Sequence, residues 1–255
     1  KVMSYNIKYD NVNDTVNNWN FRKEAMVQLL KHYAPHFVGL QEVVHNQLMY
    51  LNTHLAHYAP LGVGREDGKE KGEYSPILYN KDRFALLQGN TFWLSSTPEK
   101  VSKGWDAALE RICTYGLFQD RETGRELYVF NTHFDHVGEV ARAKSVRLIV
   151  ERIREINERQ LPVVLMGDFN LEPSSLPMQW LQAQLTEAQN ASETPFYGPT
   201  GTFNGFDPAM ELNRRIDYVF VENLAVQSYL HIDDRMENNK HISDHLPVLA
   251  ELEME

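Results

Sequence analysis

The sequence predicts an α/β protein, and three stretches carry that expectation. Leu161 to Asn170, LPVVLMGDFN, is an unbroken apolar run that ends abruptly in Gly167, Asp168, Phe169 and Asn170. Such a run between breakers fits a strand covered on both faces. Lys1 to Tyr9 alternates Val2, Ser4, Asn6 and Lys8 against Met3, Tyr5, Ile7 and Tyr9, a strand with two unlike faces. Between residues 139 and 158, Val146, Ile149, Val150, Ile153 and Ile156 recur at helical spacing, while Arg147, Glu151, Arg154 and Glu155 take outward positions. In α/β folds ligand chemistry gathers at the carboxyl ends of strands.

The remaining elements follow in chain order. An Asn/Asp-rich loop, residues 10–18, precedes a helix that Asn18 or Asn20 can cap and that runs to about Tyr33, with Phe21, Ala25, Leu29 and Leu30 as its apolar stripe. Phe37 to Leu40 reads as a short buried strand with Glu42 just past its end, and a second helix spans Asn46 to Leu55. Gly62 to Tyr74 is dense in glycine and in charges of both signs, which predicts a solvated surface loop. Its functional alternative is a flap in which Arg65, Lys69 or Lys71 meets an anionic substrate. Ser75 to Tyr79 and Phe84 to Leu94 read as strands, and Arg111 to Asp120 pairs with Glu126 to Thr132 as a hairpin across residues 121–124. A short helix over Leu176 to Leu185, a loop over Gly198 to Pro208, and strands at Ile216 to Val221, Leu224 to Leu230 and Val248 to Glu253 complete the chain. No repeat or linker interrupts it, so residues 1–255 are expected to form one domain.

The 255 residues are 42% hydrophobic and 24% charged, an ordinary globular composition that excludes disorder. No apolar run approaches the roughly 20 residues a membrane-spanning helix needs. The net charge of -10 disfavours tight binding of duplex DNA, which rests on a basic footprint. A bound metal ion can still supply positive charge where a phosphate lands. The single cysteine, Cys113, rules out an internal disulfide and a thiolate-rich zinc site, and its strand-like context suits a buried structural thiol. The chain opens at Lys1 and runs straight into an apolar strand, compatible with a removed leader.

Several polar groups stand where strands begin or end. Strand alternation puts Asp168 and Asn170 on one face, although a plain Asp/Asn turn after a core strand has the same sequence. Arg214 to Phe220 carries Asp217 at its start, and Ser243 to Val248 places Asp244 beside His245. Taken in order, the segments SYNI, LQEV, NTHFDH, GDFN, RRIDYVF and SDHLPV resemble the endonuclease/exonuclease/phosphatase superfamily of DNase I-like enzymes, over almost the whole chain from Asn6 to His245.

That resemblance implies a four-layer α/β sandwich, two mixed sheets packed face to face with helices outside. It implies a metal-dependent phosphoesterase with Glu42 as principal metal ligand and Asn6 and Asp244 completing the neighbourhood. Magnesium and manganese both suit such an oxygen-rich set. It further implies that Asp168 orients or deprotonates the attacking water and that Asn170 hydrogen-bonds a phosphate oxygen. His245, held by Asp217, would act as base or charge stabiliser, and His133 would face the leaving group or bind phosphate. Two substrate-binding candidates stand beside these: Arg111, whose guanidinium suits phosphate or an internal ion pair, and Asn204 in TFNGF, whose Asn-Gly dipeptide also signals a turn. His133 and His136 would point to opposite sides of an extended segment, which argues against a metal clip. His32, His54, His57 and His231 read as surface or loop residues.

The expected reaction is hydrolysis of a phosphate ester, first a phosphodiester of a small molecule, lipid headgroup or nucleotide. Nuclease action, or a non-catalytic binding role on the same fold, are the alternatives. GREDGKEKGEYSP and GWDAALERICTY resemble segments of bacterial members made with a secretion leader, which points to extracytoplasmic work. No apolar hairpin suited to membrane insertion is evident.

Overall fold

The computed structural model describes residues 1–254 and consists of twelve strands and five helices in two sheets with flanking helices. The first sheet has the order β11 (Ala225–His231), β12 (Val248–Glu253), β1 (Val2–Asn6), β2 (Phe37–Gln41), β4 (Ile77–Asn80), β3 (Tyr58–Leu61). The second has the order β5 (Phe84–Trp93), β6 (Ile112–Asp120), β7 (Glu126–His133), β8 (Val163–Asp168), β10 (Asp217–Glu222), β9 (Thr186–Glu187). Both are mixed: β1 runs parallel to β2 and β7 parallel to β8, whereas β12 and β10 run antiparallel to β1 and β8.

The four-layer arrangement follows from which residues each face buries. Met3, Tyr5 and Ile7 of the β1 segment pack outward against helices α1 (Trp19–Tyr33) and α2 (His45–His54), through Met26, Leu30 and Leu51. Val163 and Leu165 of β8 pack outward against α3 (Glu139–Ile156) and α4 (Leu176–Gln182), through Val150, Ile153 and Met178. Val164 and Met166, the alternate residues of β8, meet Val2, Phe37 and Val248 between the sheets. Burial on both faces explains why β8 has no polar residue before Gly167.

The layer between the sheets changes character along the strands. At one end it is apolar, with Phe37, Phe84 and Phe118 set among its aliphatic residues; toward the carboxyl ends of β1, β2 and β7 it becomes polar with Ser4, Asn6, Gln41 and Asn131, all buried. Asn131 fastens the sheets together, donating to the carbonyls of Leu40 and Pro76 (2.8 Å each) and accepting from Gln41 Nε2 at 2.7 Å. The apolar end anchors the sandwich, and the polar end opens toward the candidate site.

Several expectations need correcting. Phe21 is 66% exposed; the α1 stripe runs through Trp19, Arg22, Met26 and Leu29 or Leu30, one step out of phase with the pattern read from the sequence. β3 is absent from the sequence expectation; it is an edge strand, where its Pro60 is tolerated. The two-residue β9 and the single-turn α5 (Ala188–Ala191) are likewise too short to leave a pattern. Segment 62–74 is not simply solvated: Arg65 is buried, paired to Glu73 at 2.8 Å, and its carbonyl accepts from the Trp93 indole at 2.7 Å. His231 is also buried, with Nδ1 2.7 Å from the carbonyl of Pro199. Cys113 is buried, as expected of a structural thiol. No helix among the described residues is long and apolar enough to cross a membrane.

Candidate active site

Strand direction brings the polar groups to one rim of the sandwich. β1, β2, β7 and β8 deliver their carboxyl ends there, at Asn6, Glu42, His133 and Asp168. The oppositely directed β10 and β12 deliver their beginnings, at Asp217 and at the preceding residues Asp244 and His245. His133 and Asp168 are register partners across the parallel β7–β8 pair, and Asp168 and Asp217 across the antiparallel β8–β10 pair. Residues separated by more than 200 positions thus meet around a cavity of about 570 Å³. Ser243 secures the last loop, its hydroxyl donating to the Asn6 carbonyl at 2.7 Å.

The buried centre is a chain of charge-assisted contacts. His245 Nδ1 is 2.9 Å from Asp217 Oδ2, and Nε2 is 3.8 Å from Asp168 Oδ2. Burial acts to lower the imidazole, but the Asp217 carboxylate and its hydrogen bond, with Asp168 and Asp244, prevail and hold it up at about 10. Burial and then the Asp217 charge push Asp168 up to about 7, against the opposing pull of His245. Asp168 Oδ1 accepts the backbone N–H of Asn170 at 2.9 Å, a turn that places Asn170 at φ 48°. The Asn170 amide then lies 3.2 Å from His133 Nε2. Burial, followed by the Arg111 and Arg65 charges, keeps His133 neutral by lowering it well below the usual range.

Seven of the expected site residues, Glu42, Arg111, His133, Asp168, Asn170, Asp244 and His245, line the cavity. Asp217 stands behind His245. Asn6 joins the group differently from expectation. Its side-chain oxygen accepts the Lys8 N–H at 3.1 Å, so its NH₂ faces Glu42 Oε1 at 3.1 Å and Asp168 Oδ2 at 3.0 Å. In this orientation Asn6 bridges two carboxylates as a donor while its oxygen engages the Lys8 N–H. Asn204 does not line the cavity. It is buried, donating to the Ser243 carbonyl at 3.0 Å and accepting from the Phe206 N–H at 2.8 Å, and thereby steadies the Asp244 loop.

Arg111 makes the internal ion pair that was one of its two foreseen roles and keeps one terminal nitrogen over. Nε meets Asp135 at 3.2 Å and one terminal nitrogen meets His136 Nδ1 at 2.9 Å, while Nη1 is buried with no hydrogen-bond partner among the described residues. A buried guanidinium nitrogen left over at a cavity wall suits an anion. His136 and His133 face the same cavity, contrary to the opposite-sides expectation, because β7 ends at His133 and its alternation does not extend further.

Four further participants were not among the expected site residues. Glu73 lines the cavity, gripped by Arg65, and its Oε2 lies 4.0 Å from His133 Nδ1; burial raises its carboxyl. Thr202 donates to Asp217 Oδ2 at 2.6 Å and accepts the N–H groups of Ile216 and Asp217, fixing the carboxylate that holds His245. Phe203 packs edge-on to His245, ring centroids 5.2 Å apart. Lys8 places its ammonium 3.3 Å from both Glu42 Oε2 and Asp244 Oδ2. Only the Gly-rich charged context of Glu73 could have drawn attention, as a loop.

Two groupings can accommodate a cation. Asp168, Asp217 and His245 offer ligand atoms within 4.8 Å of one another, but Asp217 and His245 already satisfy each other there. Glu42 and Asp244 open onto the cavity and already hold a cationic nitrogen between them. Two carboxylates with room for water match the needs of a hard divalent ion, and the Lys8 ammonium marks the position where positive charge is favourable. Burial would raise Glu42, yet Lys8, His245 and the Asn6 amide keep it below the ordinary carboxylate range, ionised and ready to bind.

Comparison with known proteins identifies the family and the fold. A structure from Bacteroides vulgatus described as an endonuclease/exonuclease/phosphatase is 39% identical, with a TM-score of 0.94 over 100% of this chain and 98% of the other. A mannosyl-6-phosphatase from Bacteroides thetaiotaomicron is 36% identical, with a TM-score of 0.94 over 99% of each chain. A probable RNA exonuclease of Saccharomyces cerevisiae, NGL3, is 28% identical over 176 residues, 62% of this chain; the chain spans about a third (33%) of the length of that curated relative. The sequence profile of the Endonuclease/Exonuclease/phosphatase family matches residues 3–245. The chain therefore belongs to the endonuclease/exonuclease/phosphatase family.

Proposed function

We propose that this chain hydrolyses a small phosphate ester, first a sugar phosphate, with water as nucleophile and a divalent cation bound by Glu42 and Asp244. The observation that carries the proposal is the Asp217–His245–Asp168 chain opening, beside the spare Nη1 of Arg111, onto one cavity of about 570 Å³. That volume is in the range of small-molecule sites. The similarity to a mannosyl-6-phosphatase over the whole chain moves the leading substrate from the diester expected at first to a sugar phosphate monoester.

The site residues divide the work according to their protonation. His245, held near 10, is cationic at neutral pH and suits stabilising charge on the phosphoryl oxygens, not removing a proton. Asp168, near 7, is poised to orient the attacking water and accept its proton. Asn170 and His133 hydrogen-bond phosphate or leaving oxygens, and Arg111 binds the phosphate as an anion. When bound, the divalent cation neutralises charge on the phosphoryl group. Asp217 and Thr202 hold the His245 ring in place.

A second reading, hydrolysis of phosphodiesters or nucleic acid, draws on the partial similarity to a probable RNA exonuclease. The test is hydrolysis of mannose 6-phosphate, bis(p-nitrophenyl) phosphate and supercoiled plasmid, each with magnesium and with EDTA, using His245→Ala as the contamination control. Magnesium- and His245-dependent phosphate release from the sugar ester supports the first reading. Cleavage confined to the diester or the plasmid replaces it with the second, and no turnover of any of them refutes both.

A further inference from the structure

Lys8 is built into the site with unusual firmness. Its backbone stands at φ 57°, in the left-handed region that a lysine rarely occupies, and so does that of Glu42, also at φ 57°. Three buried side chains impose the conformation. Asn6 accepts the Lys8 N–H at 3.1 Å, and the Lys8 carbonyl accepts from Gln47 Nε2 at 2.9 Å and from an Arg22 terminal nitrogen at 3.2 Å. Arg22, itself buried, also binds the carbonyls of Ile7 and Ile242, so the segments carrying Lys8 and Asp244 are fastened to one guanidinium. The fixed backbone aims the side chain inward, where Nζ meets Glu42 and Asp244 at 3.3 Å each.

An ammonium and a divalent ion cannot share the same two oxygens, because at such separations like charges repel by several kcal/mol even at an effective dielectric of about 20. We propose that the Lys8 ammonium is an internal occupant of the divalent-cation cradle: it neutralises Glu42 and Asp244 until a metal ion arrives, is then displaced into the cavity, and thereby sets the affinity of the site for metal. The proposal rests on Glu42 and Asp244 being the carboxylates that bind the cation. Lys8 has somewhere to go, since its side chain is 31% exposed and lines the cavity wall. Metal binding then places a free ammonium on the cavity wall, where a phosphate anion is expected. The apparent metal dissociation constant is the intrinsic one divided by the fraction of molecules in which the cradle is free.

The test is Mn²⁺ binding, followed by the electron paramagnetic resonance signal of the free ion, in wild type, Lys8→Met, Lys8→Arg and Glu42→Gln. Removing the internal competitor in Lys8→Met is expected to tighten Mn²⁺ binding roughly ten-fold, and Lys8→Arg, which keeps the charge, is expected to stay near wild type. Unchanged or weaker binding by Lys8→Met, with Glu42→Gln clearly weakened, overturns the role of Lys8 alone. Glu42→Gln binding as well as wild type takes down the cradle and the inference together. A second measurement uses only the wild-type protein: acetic anhydride labelling read by mass spectrometry, in EDTA and in MgCl₂. Displacement predicts a several-fold rise in Lys8 acetylation with magnesium while Lys23 and Lys31 stay constant; a fall or no change at Lys8 refutes it.

Discussion

Asp217 and Asp168 are direct cross-strand partners in the antiparallel β8–β10 ladder, both buried, and His245 reaches each of them with a different ring nitrogen. Two carboxylates at adjacent positions of one sheet repel each other, and the imidazole between them is the group that reconciles them. The sheet register therefore sets the charge pairing at the centre of the site. It also gives the pair a coupled titration, in which the proton distribution belongs to the set.

The first prediction is a pH dependence of stability. Asp168 is raised from an ordinary 3.8 to about 7, so its contribution is full at low pH and is lost as pH rises through about 7. His245 is raised from 6.5 to about 10, so its contribution is full below 6.5 and is lost as pH rises through about 10. Both groups thus make the native state less stable with rising pH. Asp168→Asn removes the first contribution and the buried like charge. At pH 8 it is expected to melt at or above wild type, by on the order of 1 kcal/mol, while hydrolysis falls by about 10²–10⁴-fold. Thermal melts of both proteins between pH 5 and 8 check this, and a variant clearly less stable than wild type at pH 8 contradicts it.

Much of the rim was legible because strand ends leave a local signature. β8 shows as an apolar run since both its faces are covered, and Asp168 and Asn170 follow it directly. Glu42 follows β2 in the same manner. Roles that depend on tertiary partners left no such trace. Thr202 lies in an irregular loop and matters only because Asp217 folds onto it; Glu73 matters because Arg65 turns it toward His133. The Asn6 amide could be assigned to either metal or carboxylates until the Lys8 N–H was seen to engage its oxygen. His136 was misplaced by extending strand alternation beyond the end of β7.

Removal of the cation is the second prediction. EDTA is expected to abolish hydrolysis and magnesium to restore it. Glu42→Gln can still accept one of the two hydrogen bonds that Asn6 and Tyr9 donate but loses the charge and the second acceptor oxygen, and is expected to need far more magnesium for the same rate. Scanning calorimetry gives an independent check: magnesium at a hundred-fold excess over its Kd raises wild-type stability by about 2.7 kcal/mol. A similar rise in Glu42→Gln would move the cation away from Glu42.

Gly39 of β2 faces Asn131 and Met166 of the opposite sheet beneath the site. A Cβ at this position would stand 2.6 Å from Asn131 Oδ1 and 2.9 Å from Met166 Cε. Asn131 cannot yield without releasing Gln41 and the carbonyls of Leu40 and Pro76. Gly39→Ala is therefore expected to cost roughly 1–3 kcal/mol through overpacking, read as a lower midpoint in urea. An unchanged midpoint would mean that the inter-sheet layer is more plastic than its hydrogen bonds imply.

Arg111 allows substrate anchoring to be separated from folding. Its Nε partner, Asp135, is also held by the N–H groups of Gly138 at 2.8 Å, Val137 at 3.0 Å and Ala108 at 3.1 Å. Burial would raise the Asp135 carboxyl, but these donors and Arg111 hold it well below the usual range, so the carboxylate stays satisfied when the guanidinium is removed. Arg111→Ala should thus fold while losing the unpartnered Nη1 donor at the cavity. The expected result is an increase of about 10–10³-fold in the inhibition constant of orthophosphate and a matching rise in KM, with a smaller change in kcat. Arg111→Lys should recover little, because a lysine has a single point charge where the fork must reach Asp135, His136 and the anion at once. Orthophosphate inhibiting Arg111→Ala as strongly as wild type would assign the phosphate to His133, Asn170 and the cation alone.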